Sequence, residues 1–85
     1  MPKIELYVKA TCPYCIRARR LLDAKGVEYE AYAADFGSPR REEMIQRSKG
    51  RTTVPQIFID GRHIGGCDDL FALEYEGRLN DLLAA

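Results

Sequence analysis

Thr11-Cys12-Pro13-Tyr14-Cys15 marks a change of periodicity in the chain. Before it, Ile4, Leu6 and Val8 alternate with Glu5, Tyr7 and Lys9, the period of two that predicts a β-strand. After it, Cys15, Ala18, Leu21, Leu22 and Lys25 follow three-and-four spacing, which predicts an amphipathic helix ending at Gly26. The two cysteines therefore fall at a strand-to-helix junction. A helix N-terminus carries about half a positive charge and unpaired N–H groups. Cys12, at or near the N-cap, sits where those groups favour a thiolate, the nucleophile of disulfide exchange. Cys15, about one turn on, can reach back to it. Pro13 suits the first helical turn, where its missing N–H is not needed. The same four residues also fit half of a zinc site, or a structural bridge in a secreted protein.

Bulk properties narrow these alternatives. With 85 residues the chain is expected to be a single domain over 1–85. Hydrophobic residues make up 46%, enough for a core without disulfide or metal staples. No apolar run approaches the ~18 residues that cross a membrane, so no membrane partner is expected. The N-terminal residues pass directly into strand-like alternation, so no signal peptide is expected. An odd cysteine count, three, argues against a fully paired secreted framework. The expected location is therefore cytoplasmic, where a Cys-x-x-Cys is more often catalytic or metal-binding than structural.

Formal net charge is zero, which speaks against a nucleic-acid binder. The charge is nevertheless divided: residues 1–25 hold six Lys/Arg and two Asp/Glu, residues 60–85 two and six. Lys9, Arg17, Arg19 and Arg20 lie near the cysteines in sequence. Arg19 and Arg20 read as a solvated helix face, but a positive field there also favours a thiolate and attracts an anionic thiol.

Farther along, Val27, Tyr29, Ala31 and Ala33 alternate with Glu28, Glu30 and Tyr32, predicting a second strand parallel to the first. Ser38-Pro39 reads as an N-cap and first helical residue. A second helix follows to about Ser48, with Met44 and Ile45 inward and Gly50 beyond its end. Arg40 and Arg41 in its first turn oppose the helix dipole, as a chance placement or an anion contact. Gln56-Ile57-Phe58-Ile59, Asp60-Gly61 and Arg62-His63-Ile64-Gly65 read as strand, type I′ turn and antiparallel strand. Cys67-Asp68-Asp69 opens a third helix with Leu70, Leu73 and Phe71 available to the core. Gly77 breaks it, and Leu79, Leu82 and Leu83 suggest a short terminal helix. The order β-α-β-α-β-β-α requires a four-stranded mixed sheet with helices on both faces, an α/β architecture of the thioredoxin-like type.

Two further segments carry candidate chemistry. Pro55, in Thr53-Val54-Pro55, lies where a proline belongs at a strand's start, and only about 5–6% of such bonds are cis. In Gly65-Gly66-Cys67-Asp68-Asp69, two glycines allow close backbone approach, and a helix N-terminus offers N–H groups to a carboxylate. Asp68 reads either as the N-cap or as a partner for an amine, and Cys67 as a small buried residue. His63, with the three cysteines, would make a Cys₃His zinc set, but strand alternation turns it toward solvent instead.

Taken in register, Cys12-Pro13-Tyr14-Cys15, Thr53-Val54-Pro55 and Gly65-Gly66-Cys67-Asp68-Asp69 resemble the dithiol glutaredoxins, most nearly the bacterial glutaredoxin 3 type, over nearly the whole chain. The resemblance implies a glutathione-dependent thiol–disulfide oxidoreductase. Cys12 would be the nucleophile and Cys15 the resolving thiol. Pro55 would be cis, leaving the Val54 backbone to pair with the cysteinyl unit of glutathione. Tyr14 would flank the peptide, and Lys9, with Arg51, would meet the glycyl carboxylate. The N–H groups of Cys67 and Asp68 would hold the γ-glutamyl carboxylate, with Thr53 and Gly66 completing the site. Glutathione would be the reducing co-substrate, with no permanently bound cofactor. Glutathionylated or disulfide-containing proteins would be its partners, and a monomer is expected. Two other readings compete: a [2Fe–2S] carrier, against which Pro13 counts, and a redox donor to one protein partner.

Overall fold

Every residue of β1 (Ile4–Val8) is buried, including Glu5 and Tyr7. The strand alternates as expected, but both of its faces are covered. In the computed structural model, which describes residues 2–84, β1 is an inner strand of a four-stranded sheet ordered β2-β1-β3-β4. β2 (Glu30–Ala33) pairs with it in parallel, with Leu6 opposite Ala31. β3 (Gln56–Ile59) pairs antiparallel on its other side, with Leu6 opposite Ile57. β4 (Arg62–Gly65) closes the hairpin after Asp60 and Gly61, whose φ values of 51° and 79° are those of a type I′ turn.

On one face, Ile4, Leu6, Val8, Ile57 and Ile59 meet α1 (Pro13–Ala24) through Cys15, Ala18 and Leu22. They also meet α3 (Cys67–Tyr75) through Cys67 and Leu70, and α4 (Leu79–Ala84) through Leu79 and Leu83. On the other face, Tyr7 and Phe58 meet α2 (Pro39–Arg47) through Met44. The thioredoxin-like arrangement with helices on both faces is therefore present, with α4 added at the end.

The polar side of β1 is absorbed by a charged network under α2. Arg47 donates to Glu5 at 3.0 and 3.1 Å and to the Tyr7 hydroxyl at 2.8 Å, while its guanidinium stacks 4.1 Å from the Phe58 ring centroid. The Arg47 charge and its hydrogen bonds hold the Glu5 carboxyl below its ordinary range, although burial opposes this. The first-turn Arg40 does not point to an external anion: it pairs with Glu43 at 2.8 Å and stacks on Tyr32. Arg19 is exposed on the helix face as expected, with its guanidinium 5.9 Å from the Tyr29 ring centroid.

Two expectations about elements are corrected. Strand two begins at Glu30, not Val27, because Val27 and Tyr29 pack toward the α1 face as a loop and the Tyr29 hydroxyl donates to Asp23 at 3.0 Å. Within β2, Tyr32 is the half-buried residue and both alanines are exposed, the reverse of the expected phase. Tyr32 instead reaches the Tyr7 ring, 5.2 Å between centroids. Helix two closes at Arg47 with Ser48 as its C-cap.

Met44 is the only fully buried side chain that α2 places against the sheet. Met44→Ala is expected to cost about 2–5 kcal/mol, read from the denaturant midpoint. A change within the scatter of surface substitutions would mean that the Arg47 network alone holds this helix.

Candidate active site

β1 ends at Val8, and the chain turns through Lys9–Thr11 before α1 begins. The turn is closed by the Cys12 N–H donating to the Lys9 carbonyl at 3.3 Å. Cys12 is the N-cap of α1, with extended backbone, and Pro13 is the first helical residue. The Cys12 sulfur takes the role that a serine or aspartate oxygen plays at other caps. It accepts the Cys15 N–H at 3.3 Å. The N–H is one of the free donors of the first turn.

Cys15 has the opposite environment. Its side chain is 1% exposed and packs in the main core. Burial, then its hydrogen bond with Cys12, pushes its thiol up to about 12. Cys15 therefore remains protonated at neutral pH while Cys12 stands half-buried at the surface. Cys67 is also buried, and burial raises its thiol, so it is not poised as a nucleophile.

Beside Cys12 lies a cleft of about 470 Å³. Tyr14 lines it from α1; Arg51, Thr53, Val54 and Pro55 line it from the segment before β3; Gly66, Cys67, Asp68 and Asp69 line it from the start of α3. The Val54–Pro55 bond is cis. The Val54 carbonyl lies 3.8 Å from the Cys12 sulfur. The three segments singled out in the sequence thus converge. Lys9 is the exception: it does not line the cleft, and its Nζ lies over the Phe36 ring, 5.7 Å from the centroid.

The start of α3 corrects one alternative. The N-cap is Gly66, not Asp68. Asp69, three residues on, accepts the Gly66 N–H at 2.9 Å and lies 3.8 Å from Arg51. Asp68 is exposed, at the rim of the cleft, and is left available. The role of Asp69 was not singled out from sequence, although an acidic residue three positions after a glycine at a helix start is a capping signal. Gly65 carries the matching constraint: its φ is +123°, and a Cβ there would come within 2.2 Å of the Asp69 carboxylate.

His63 does not face solvent as expected. It is half-buried against Phe58, on the sheet face opposite the cysteines, which excludes the Cys₃His set. Strand alternation correctly takes it away from Cys67, but that face is covered too.

One sulfur supplied with hydrogen bonds, paired with a second kept protonated and within reach, suits thiol–disulfide exchange. On this sheet it defines a thiol–disulfide oxidoreductase of thioredoxin-like fold. The Glutaredoxin family model matches residues 4–64, and the chain belongs to the glutaredoxin family, whose members are glutathione-dependent oxidoreductases. It is 59% identical over 83 residues to Glutaredoxin 3 of Escherichia coli strain K12, covering 98% of this chain and 99% of that protein. The solution structure of a dithiolic glutaredoxin from Trypanosoma brucei brucei superposes with a TM-score of 0.83 at 44% identity, covering 95% of this chain and 86% of that one. A buckwheat glutaredoxin–glutathione complex gives a TM-score of 0.86 at 32% identity, covering 98% and 77%.

Two outcomes test this geometry. At neutral pH, iodoacetamide is expected to label Cys12 in the folded, reduced protein and to leave Cys15 unmodified, read by peptide mapping; comparable labelling of both would contradict the asymmetry. Asp69→Ala is expected to lose about 1 kcal/mol of stability through its cap bond, whereas Asp68→Ala leaves the melting temperature unchanged.

Proposed function

We propose that the protein reduces glutathione mixed disulfides by a step that needs Cys12 alone, and protein disulfides by a step that needs Cys15 as well. The observation that carries this reading is the unequal pair of sulfurs beside the cleft: Cys12 at the helix N-terminus, Cys15 buried and protonated.

The Cys12 thiolate attacks the glutathionyl sulfur of a mixed disulfide. The Cys12–glutathione disulfide forms, the substrate S–S bond breaks, and the substrate leaves as a thiolate that takes up a proton. A second glutathione thiolate then attacks the glutathionyl sulfur, releasing glutathione disulfide and restoring the Cys12 thiolate. Both are thiolate attacks governed by the attacking and leaving thiols. Alternatively Cys15 gives up its proton and attacks the Cys12 sulfur, closing the internal disulfide and releasing glutathione. Its raised proton affinity disfavours that route where a glutathione thiolate is available, and leaves it for mixed disulfides with a protein, where Cys15 is the thiol at hand.

Glutathione would lie in the cleft. The Val54 backbone would pair with its cysteinyl unit, next to the Cys12 sulfur. The free N–H groups of Cys67 and Asp68 at the α3 N-terminus would hold the γ-glutamyl carboxylate, with the Asp68 side chain toward the amine. Tyr14, Thr53, Pro55 and Gly66 would form the walls. Arg51 would meet the glycyl carboxylate, and Lys9 would join it by leaving the Phe36 ring. Every electron in this cycle is carried by sulfur, so no resident cofactor is required. A monomer suffices because one chain supplies all these groups. A reducing glutathione pool, and therefore the cytoplasm, is the compartment in which the cycle turns over.

Cys15→Ser is expected to retain or raise turnover of a small glutathione mixed disulfide while losing most activity on a protein disulfide; Cys12→Ser is expected to lose both. Equal loss of both activities in a folded Cys15→Ser protein would replace this scheme with an obligatory dithiol exchange.

A further inference from the structure

Gln56, the first residue of β3, is wholly buried. Its side-chain nitrogen donates to the Thr53 carbonyl at 2.9 Å and to the Thr53 hydroxyl oxygen at 3.1 Å. A carbonyl only accepts, so the contact identifies which end of the amide is nitrogen. The amide oxygen then faces His63 Nε2 at 2.6 Å. That oxygen also only accepts, so His63 must carry a proton on Nε2. The ring is held on its flat side as well, stacked on Phe58 with centroids 4.9 Å apart. Burial and the Arg51 charge favour the neutral imidazole, with Asp69 opposing.

The chain tethered by this relay is the one that lines the cleft. Residues 51–55 belong to no strand or helix. Upstream they are tied by the Ser48 hydroxyl, which accepts the Arg51 N–H at 3.1 Å and donates to the Arg51 carbonyl at 3.2 Å. Downstream the side-chain tie is Gln56 to Thr53. Within the second tie the Val54 carbonyl passes 3.8 Å from the Cys12 sulfur.

We propose that His63 and Gln56 are positioning residues for the glutathionyl subsite: from the sheet face opposite the cysteines they fix the Thr53–Val54 backbone in the orientation that meets the peptide. The inference rests on the assignment of residues 53–55 to glutathione. His63 fixes Gln56 by donating to it, and Gln56 fixes Thr53 by two donations of its own. Removing His63 leaves a buried amide oxygen without its donor and takes away one of the contacts that hold the amide against Thr53.

The test compares the parent with His63→Ala, Gln56→Leu and the donor-preserving His63→Gln. Two rates are measured: kcat/KM on a glutathione mixed disulfide of a small thiol, and alkylation of Cys12 by iodoacetamide, which needs no peptide subsite. His63→Ala and Gln56→Leu are expected to lose roughly fivefold to tenfold in kcat/KM, the effect of about one lost hydrogen bond. Alkylation stays within about twofold of the parent, and His63→Gln recovers most of the loss. Nitrogen-15 spectra of the parent should show His63 protonated at Nε2 and bare at Nδ1. Variants that melt earlier but keep the parental kcat/KM would reduce the relay to a structural role and overturn the proposal, as would a proton on Nδ1. A parent protein that turns over no glutathione mixed disulfide would overturn the functional reading itself, and this inference with it.

Discussion

The contact from the Cys15 N–H to the Cys12 sulfur spans 3.3 Å, and it joins the backbone of one cysteine to the side chain of the other. It exists because a strand ends and a helix begins within a few residues, with Pro13 setting the first turn. A sulfur at that N-cap receives the donors that a helix cannot use internally. The same geometry turns Cys15 inward, one turn later, onto the core face of α1. Helix periodicity thus produces two unlike thiols from two identical residues: one accepting the Cys15 N–H, the other desolvated and held as a thiol near 12.

That junction stays in place because β1 is gripped from both sides. Ile4, Leu6 and Val8 anchor it to α1 and α3, while Glu5 and Tyr7 anchor it to α2 through Arg47. A half-buried charged network is a costly device unless its members satisfy one another, and here the carboxylate, guanidinium and phenol do so. The two remaining walls of the site come from elsewhere in the sheet order. The cis-proline segment precedes β3, neighbour to β1, and the α3 N-terminus follows β4, neighbour to β3. Sheet order therefore brings residues 12, 54 and 67 together at one end although they lie far apart in sequence.

Most of this was legible in the residues. Alternation followed by three-and-four spacing around Cys12 located β1 and α1. Asp60-Gly61 located the hairpin, and the convergence of three motifs located the cleft. What escaped were features set by tertiary contact. No local spacing shows that Glu5 finds its partner in Arg47, forty-two residues away. Tyr32 enters the second core because Tyr7 is there to receive it, which inverts the apparent phase of β2. Lys9 was assigned to the glutathione site through family resemblance, but its ammonium packs on Phe36, a contact that no local spacing encodes. Asp68 and Asp69 are chemically alike, and only the backbone path at Gly66 decides that Asp69 caps the helix. Strand alternation alone gives the face of the sheet on which His63 lies, but not whether that face is covered.

The central claim is that Cys12 exchanges its disulfide while the adjoining cleft holds the glutathionyl peptide by its backbone. The direct measurement is amide hydrogen exchange on the Cys12–glutathione adduct, trapped in a Cys15→Ser protein by oxidised glutathione. The account predicts a single adduct on Cys12 and slowed exchange at the amides of Val54, Cys67 and Asp68. An adduct on Cys67, or an adduct on Cys12 that leaves those three amides exchanging as in the free protein, would contradict it.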